Sequence, residues 1–142
     1  MTLTADRRAE LIGGCRLFQG LDHGDLAAVA AVSIEVDFAA DRVIARQGEI
    51  GTGFFIVVDG RVRVVRDGTA VAHLGPGEFF GELAVLDGGP RVAQVVAEVP
   101  TTCLAIPTWD FEKVLREEPG VALAVLRVVA ARLREVTTDH RT

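Results

Sequence analysis

The chain has no tyrosine, one tryptophan, one methionine, two cysteines and three histidines in 142 residues. Each scarcity removes a class of chemistry. Cys15 and Cys103 stand far apart and lack a CxxC or Cys/His companion spacing, so no disulfide framework is expected and a reducing compartment fits better. His23, His73 and His140 are dispersed, without the His-x-His pair that a metal-binding jelly roll such as a cupin needs, so no metal ligand is assigned. No Gly-x-Ser-x-Gly elbow is present and no Cys–His pairing emerges, so no catalytic residue is assigned and the chain reads as a non-enzyme. Long apolar runs are missing too. Leu26 to Val32 stops at Ser33, and Val121 to Leu126 stops at Arg127, well short of the ~20 residues of a membrane span. The first eight residues, Met1 to Arg8, lack the apolar core of a signal peptide, so the expectation is a cytoplasmic protein with no membrane partner. Positive charge is also in deficit, with 15 Lys and Arg against 20 Asp and Glu and a net charge of -5. Nucleic-acid binding needs a clustered positive surface and is not expected. Arg61, Arg63 and Arg66 form the one modest basic cluster, with Arg66 on the opposite strand face from the other two, and it reads as solvated surface.

What remains is an ordinary globular composition, 49% apolar and 25% charged. The length suits one domain over residues 1–142, able to bury roughly two-thirds of its unfolded surface. The order is helix, strands, helix. Residues 5–13 and 23–32 read as short helices, the second capped by Asp22. Strand signals begin at Ser33 to Phe38, where Ile34, Val36 and Phe38 alternate with polar partners, and recur at 42–46, 54–58, 61–66, 70–74, 92–98 and 102–106. Asp59-Gly60 and Asp67-Gly68 are hairpin signals, and many short strands with such punctuation indicate a sandwich or barrel. From Thr108, read as a cap, the period turns helical over 108–117. A long helix follows Pro119, with Ala122, Val125, Leu126, Val129, Ala130, Leu133 and Val136 on one stripe. Trp109 is expected to make a core or hinge contact.

The informative stretch runs from Phe79 to Ala93. As the start of a strand over 91–99, Arg91 shares parity with the small or apolar Ala93, Val95, Ala97 and Val99, and so faces inward with them. An unpaired buried guanidinium is too costly to keep, so an anion must sit opposite. Two candidates are open: Glu82, in an internal salt bridge, or a ligand phosphate or carboxylate gripped by the arginine fork. Residues 82–86 are expected to form a helical turn after Gly81, with N–H groups aimed at the same place. Gly81, Ala84 and Ala93 are small enough to let a ligand approach the backbone.

Phe80-Gly81-Glu82-Leu83-Ala84 and Pro90-Arg91-Val92-Ala93 resemble the phosphate-binding cassette, over residues 80–93, of cyclic nucleotide-binding domains, the family of catabolite activator proteins and protein kinase A regulatory subunits. Leu17-Phe18-Gln19-Gly20-Leu21, the Gly48-Glu49 turn, Phe55-Ile56-Val57-Val58 with Gly60, and Gly75-Pro76-Gly77-Glu78-Phe79 extend the resemblance along nearly the whole chain. It implies an α+β fold: a β-jelly-roll (double-stranded β-helix) over 33–106, flanked by N-terminal helices within 5–32 and C-terminal helices over 108–138. It further implies that Arg91 pairs with a cyclic phosphate and Glu82 accepts from the ribose 2′-hydroxyl. Backbone groups of Gly81, Leu83, Ala84, Val92 and Ala93 complete the cradle. Where cyclic GMP binders of the family often carry Thr or Ser, this chain has Val92, which favours cyclic AMP. Thr137 or Thr138 falls where the base would be met. The long helix is expected either to pack on the barrel and lid the purine or to pair with a second copy. With no helix-turn-helix in the sequence, the resemblance points to a stand-alone sensor acting through a protein effector or as a homodimer. A domain with an internal Arg91–Glu82 pair, serving protein interaction without ligand, is the alternative.

Overall fold

The computed structural model describes residues 2–139, with side chains through Thr137, and His140 lies outside them. Two helices open the chain, α1 (Ala5–Gly13) and α2 (His23–Val32), separated by a 3-10 turn (Arg16–Phe18). Eight strands follow: β1 (Ile34–Phe38), β2 (Val43–Ala45), β3 (Gly53–Asp59), β4 (Val62–Arg66), β5 (Thr69–Leu74), β6 (Phe79–Phe80), β7 (Gln94–Ala97) and β8 (Thr101–Pro107). The short α3 (Glu82–Asp87) interrupts them after β6, and α4 (Thr108–Glu117) and α5 (Pro119–Asp139) close the described chain. Local chemistry fixes most of these ends. Thr4 Oγ1 accepts from Arg7 N at 3.1 Å at the head of α1, and Asp22 Oδ1 accepts from Asp25 N at 2.8 Å at the head of α2. Asp67 and Gly68 both take positive φ, 52° and 80°, which closes the β4–β5 hairpin.

The strands form two antiparallel sheets, ordered β1-β8-β3-β6 and β2-β7-β4-β5, the expected jelly roll. Val57, Val62, Phe80, Val95 and Cys103 pack in the space between the sheets. A second core lies where the helices cover the first sheet. Phe18, Phe54 and Phe111 meet there with ring centroids 4.8 to 6.1 Å apart. All three are fully buried, so truncating any of them would cost about 3–5 kcal/mol.

Several expectations need correction. β7 begins at Gln94, so Arg91 precedes the ladder instead of opening a strand over 91–99. Its backbone is held by the turn before β3: Gly48 N donates to Arg91 O and Arg91 N donates to Glu49 O, both at 2.8 Å. Val96 is buried along with Val95 and Ala97, so both faces of this interior strand are covered and parity alone does not mark the inner one. Ile34 is exposed although its alternation points it inward. Thr108 is the first residue of α4 instead of its cap, and its buried Oγ1 has no hydrogen-bond partner among the described residues. Trp109 is 87% exposed and makes no core contact. The expected stripe on α5 divides: Val125 enters the core and Val129 packs against it, while Leu126, Leu133 and Val136 stay exposed, and Val121, outside the stripe, is fully buried. Among the described residues no helix is long and apolar enough to cross a membrane.

Candidate functional site

A cavity of about 430 Å³ opens beside the β4–β5 hairpin, with Phe79 to Ala84 on one side and Arg91, Val92, Ala93 and Val95 on another. All seven residues singled out in the sequence (Gly81, Glu82, Leu83, Ala84, Arg91, Val92 and Ala93) line it. Val64, Val71 and Leu74 add an apolar wall, and Val71, Leu83 and Val92 are exposed at its edge. Arg66, which read as solvated surface, also lines it. Among the described residues none of α5 lines the cavity, and the helix packs Val121 and Val125 into the core. Thr137 is exposed and away from it, and the side chain of Thr138 lies outside the described residues.

Arg91 sits in a slot built for it. Its Nη2 donates to Gly53 O at 2.9 Å, and its guanidinium carbon lies 6.0 Å from the Phe55 ring centroid. A Cβ on Gly81 would fall 2.6 Å from Arg91 Nη1, and one on Gly51 would fall 3.1 Å from Arg91 Cζ, so a side chain at Gly81 would displace the guanidinium and one at Gly51 would crowd it. Gly81 also adopts a φ of 88° as it turns the chain from β6 into α3, a conformation that disfavours any residue with a side chain. Desolvation lowers the arginine pKa from its ordinary value, and the nearby Glu49 carboxylate opposes the shift. The guanidinium stays charged, and no carboxylate lies within ion-pair distance of it among the described residues.

Glu82 is not that partner. It is 7% exposed, and its Oε1 accepts from Nη1 of Arg132, on α5, at 2.6 Å. Arg132 lies flat enough over the cavity-lining Phe79 to place its Cζ 4.9 Å from the ring centroid. The internal Arg91–Glu82 bridge is therefore replaced by a bond between the head of α3 and the long C-terminal helix. Arg132, Gly51 and Gly53 went unread in the sequence. The Gly-Thr-Gly of residues 51–53 was the one available signal, since paired glycines before a strand mark close backbone approach. His73 stays at the surface, its Nδ1 paired with Glu98, which also accepts from Arg61 Nε at 2.6 Å. Among the described residues no group of His, Cys, Asp and Glu is arranged to hold a metal.

The arrangement offers a charged fork, a buried carboxylate and several backbone groups around one small cavity, which suits a compact ligand carrying both an anion and hydroxyls. Comparison with known proteins agrees. The family model of the cyclic nucleotide-binding domain matches residues 35–118. A cyclic AMP receptor protein of Thermus thermophilus is 34% identical over 131 residues, covering 89% of this chain and 61% of that protein. A CRP-like cAMP-activated global transcriptional regulator of Mycobacterium tuberculosis is 27% identical over 135 residues, covering 92% of this chain and 60% of the regulator. The crystal structure of the N-terminal domain of a transcriptional regulator from Streptomyces coelicolor superposes with a TM-score of 0.79 at 34% identity, covering 89% of this chain and 92% of that one. The chain spans about three-fifths of the length of the two regulators it matches. The chain belongs to the cyclic nucleotide-binding domain family, and the cavity-lining Gly81 to Ala84 and Arg91 to Ala93 fall within the matched segment.

Proposed function

We propose that the cavity binds a cyclic nucleotide, with cyclic AMP as its preferred ligand, and that the domain acts as a regulatory sensor without catalysis of its own. The observation that carries this reading is Arg91: a charged fork in a glycine-walled slot, open to the cavity and without a carboxylate partner among the described residues. In this reading Arg91 pairs with the cyclic phosphate through two parallel N–H groups. Glu82 accepts from the ribose 2′-hydroxyl while Arg132 holds its other side. The first N–H groups of α3, at Glu82, Leu83 and Ala84, lack partners within the helix and face the sugar-phosphate together with backbone groups of Gly81, Val92 and Ala93. Two guanidinium groups line the cavity against one carboxylate, which favours an anion although the chain is acidic as a whole. The names of the Thermus and Mycobacterium relatives support cyclic AMP. Val92, 53% exposed at the edge, offers no hydroxyl to a guanine amino group. Calorimetric titration with cyclic AMP and cyclic GMP in parallel tests the reading. Tighter binding of cyclic AMP supports it, and equal or tighter cyclic GMP removes the selectivity assigned to Val92.

A specific observation favours a homodimer as the working state. Leu126, Leu133 and Val136 are exposed apolar side chains spaced seven and three apart on α5, and Leu133 is 65% exposed. That is the pattern of a coiled-coil seam awaiting a second helix. Sedimentation of the protein and of a Leu126→Glu/Leu133→Glu variant separates the cases: a dimer that the variant abolishes supports the seam, and a monomeric wild type leaves α5 for another protein effector.

A further inference from the structure

On the flank of α5 away from that seam lies a second cavity, of about 380 Å³, between the helix and the 3-10 turn. Ala124, Val128 and Ala131 line it with short side chains, and Arg16, Arg127 and Arg132 stand around it with Gln19 and Glu135. Neither Arg16 nor Arg127 has a carboxylate within ion-pair distance among the described residues, and Arg132 bonds Glu82 through Nη1. Counting Glu82 and Glu135 against the three arginines still leaves one positive charge in excess, on a chain whose net charge is -5. Three guanidinium groups on two elements that pack against each other give fork geometry for an oxyanion with more than one charge.

We infer that this groove is a second, separate site for a small phosphate-class polyanion, held by Arg16 and Arg127 and steadied by Arg132. The groove and the first cavity share a wall. Phe79 lines both, and Arg132 lines the groove while bonding Glu82, which lines the first cavity. An anion on the remaining donors of Arg132 holds that side chain over Phe79, and α5 against the barrel. The part of the inference that concerns coupling rests on the nucleotide reading above: groove occupancy and nucleotide binding favour the same placement of Arg132, so each tightens the other.

Pyrophosphate is the probe, titrated at physiological ionic strength into the full chain and followed through the arginine side-chain Nε–H signals by NMR. The site predicts saturable shifts of the Arg16, Arg127 and Arg132 signals, weakened about tenfold in an Arg16→Gln/Arg127→Gln variant. Absence of saturable shifts, shifts confined to Arg66 and Arg91, or undiminished binding by the double variant would each overturn it. Repeating a cyclic AMP titration with saturating pyrophosphate reads the coupling. Tightening by about fivefold supports it, and an unchanged or weaker affinity refutes the coupling. If cyclic AMP does not bind at all, the nucleotide reading fails while the pyrophosphate shifts still decide the groove.

Discussion

Arg132 donates from Nη1 to Glu82 Oε1 at 2.6 Å, tying the carboxylate at the head of α3 to the C-terminal helix and leaving Arg91 without an internal anion. Removing Arg132 leaves a nearly buried carboxylate without its charged partner and strips the cation from the Phe79 ring. Because Arg132 itself is about half exposed, the expected loss lies at the lower end of the range for an orphaned charged group, ~1–2 kcal/mol. Urea unfolding of Arg132→Ala should show that loss, and amide exchange along the second half of α5 should accelerate. An unchanged midpoint with unchanged exchange would mean that the bond contributes nothing to docking the helix.

Gly81→Ala adds a Cβ 2.6 Å from Arg91 Nη1 at a backbone φ of 88°. The strain alone is worth about 1–2 kcal/mol, and the displaced guanidinium no longer sits where a phosphate would meet it. The variant should stay folded, lose that much stability, and bind cyclic AMP at least about tenfold more weakly. Wild-type affinity in a folded Gly81→Ala would show that the slot is not tuned to Arg91.

Much of this was legible in the chain because local chemistry decided it. Asp22 capped α2, Asp67-Gly68 closed its hairpin, and the helical bounds 5–13, 23–32 and 108–117 matched the structure. The seven expected site residues line one cavity because they lie close in sequence on one turn and its return. Arg91 did reach the cavity, but through a two-hydrogen-bond clamp to Gly48 and Glu49 and not through strand parity. β6, two residues long, carried no readable period. The Glu82–Arg132 bond joins residues fifty positions apart and depends on the path of α5 across the barrel, which no local pattern encodes. Trp109 failed for the same reason, since its exposure follows from how α4 is seated.

Burial raises the thiol pKa values to about 11 at Cys15 and about 12 at Cys103, chiefly by desolvation, from an ordinary 9.0. The folded state therefore keeps protons that the unfolded state releases above pH 9. The stability this contributes is intact below that value and falls as pH rises from 9 toward about 11 for Cys15 and about 12 for Cys103. With no tyrosine and Lys113 the sole lysine, few other groups titrate there. Denaturation midpoints should decline above pH 9, less steeply in Cys103→Val. Neither thiol should react with a disulfide reagent at pH 8 until the chain is unfolded, and rapid labelling of the folded protein would contradict the burial of both.

Calorimetric titration of cyclic AMP into the wild-type chain and Arg91→Ala, each first checked for cooperative unfolding, puts the phosphate anchor to the test. The wild type should bind saturably, and the folded variant should lose on the order of 2–5 kcal/mol of binding free energy, enough to erase detectable heat. Equal binding by the two proteins, or no binding by the wild type, would contradict the assignment of Arg91 as the group that holds the ligand.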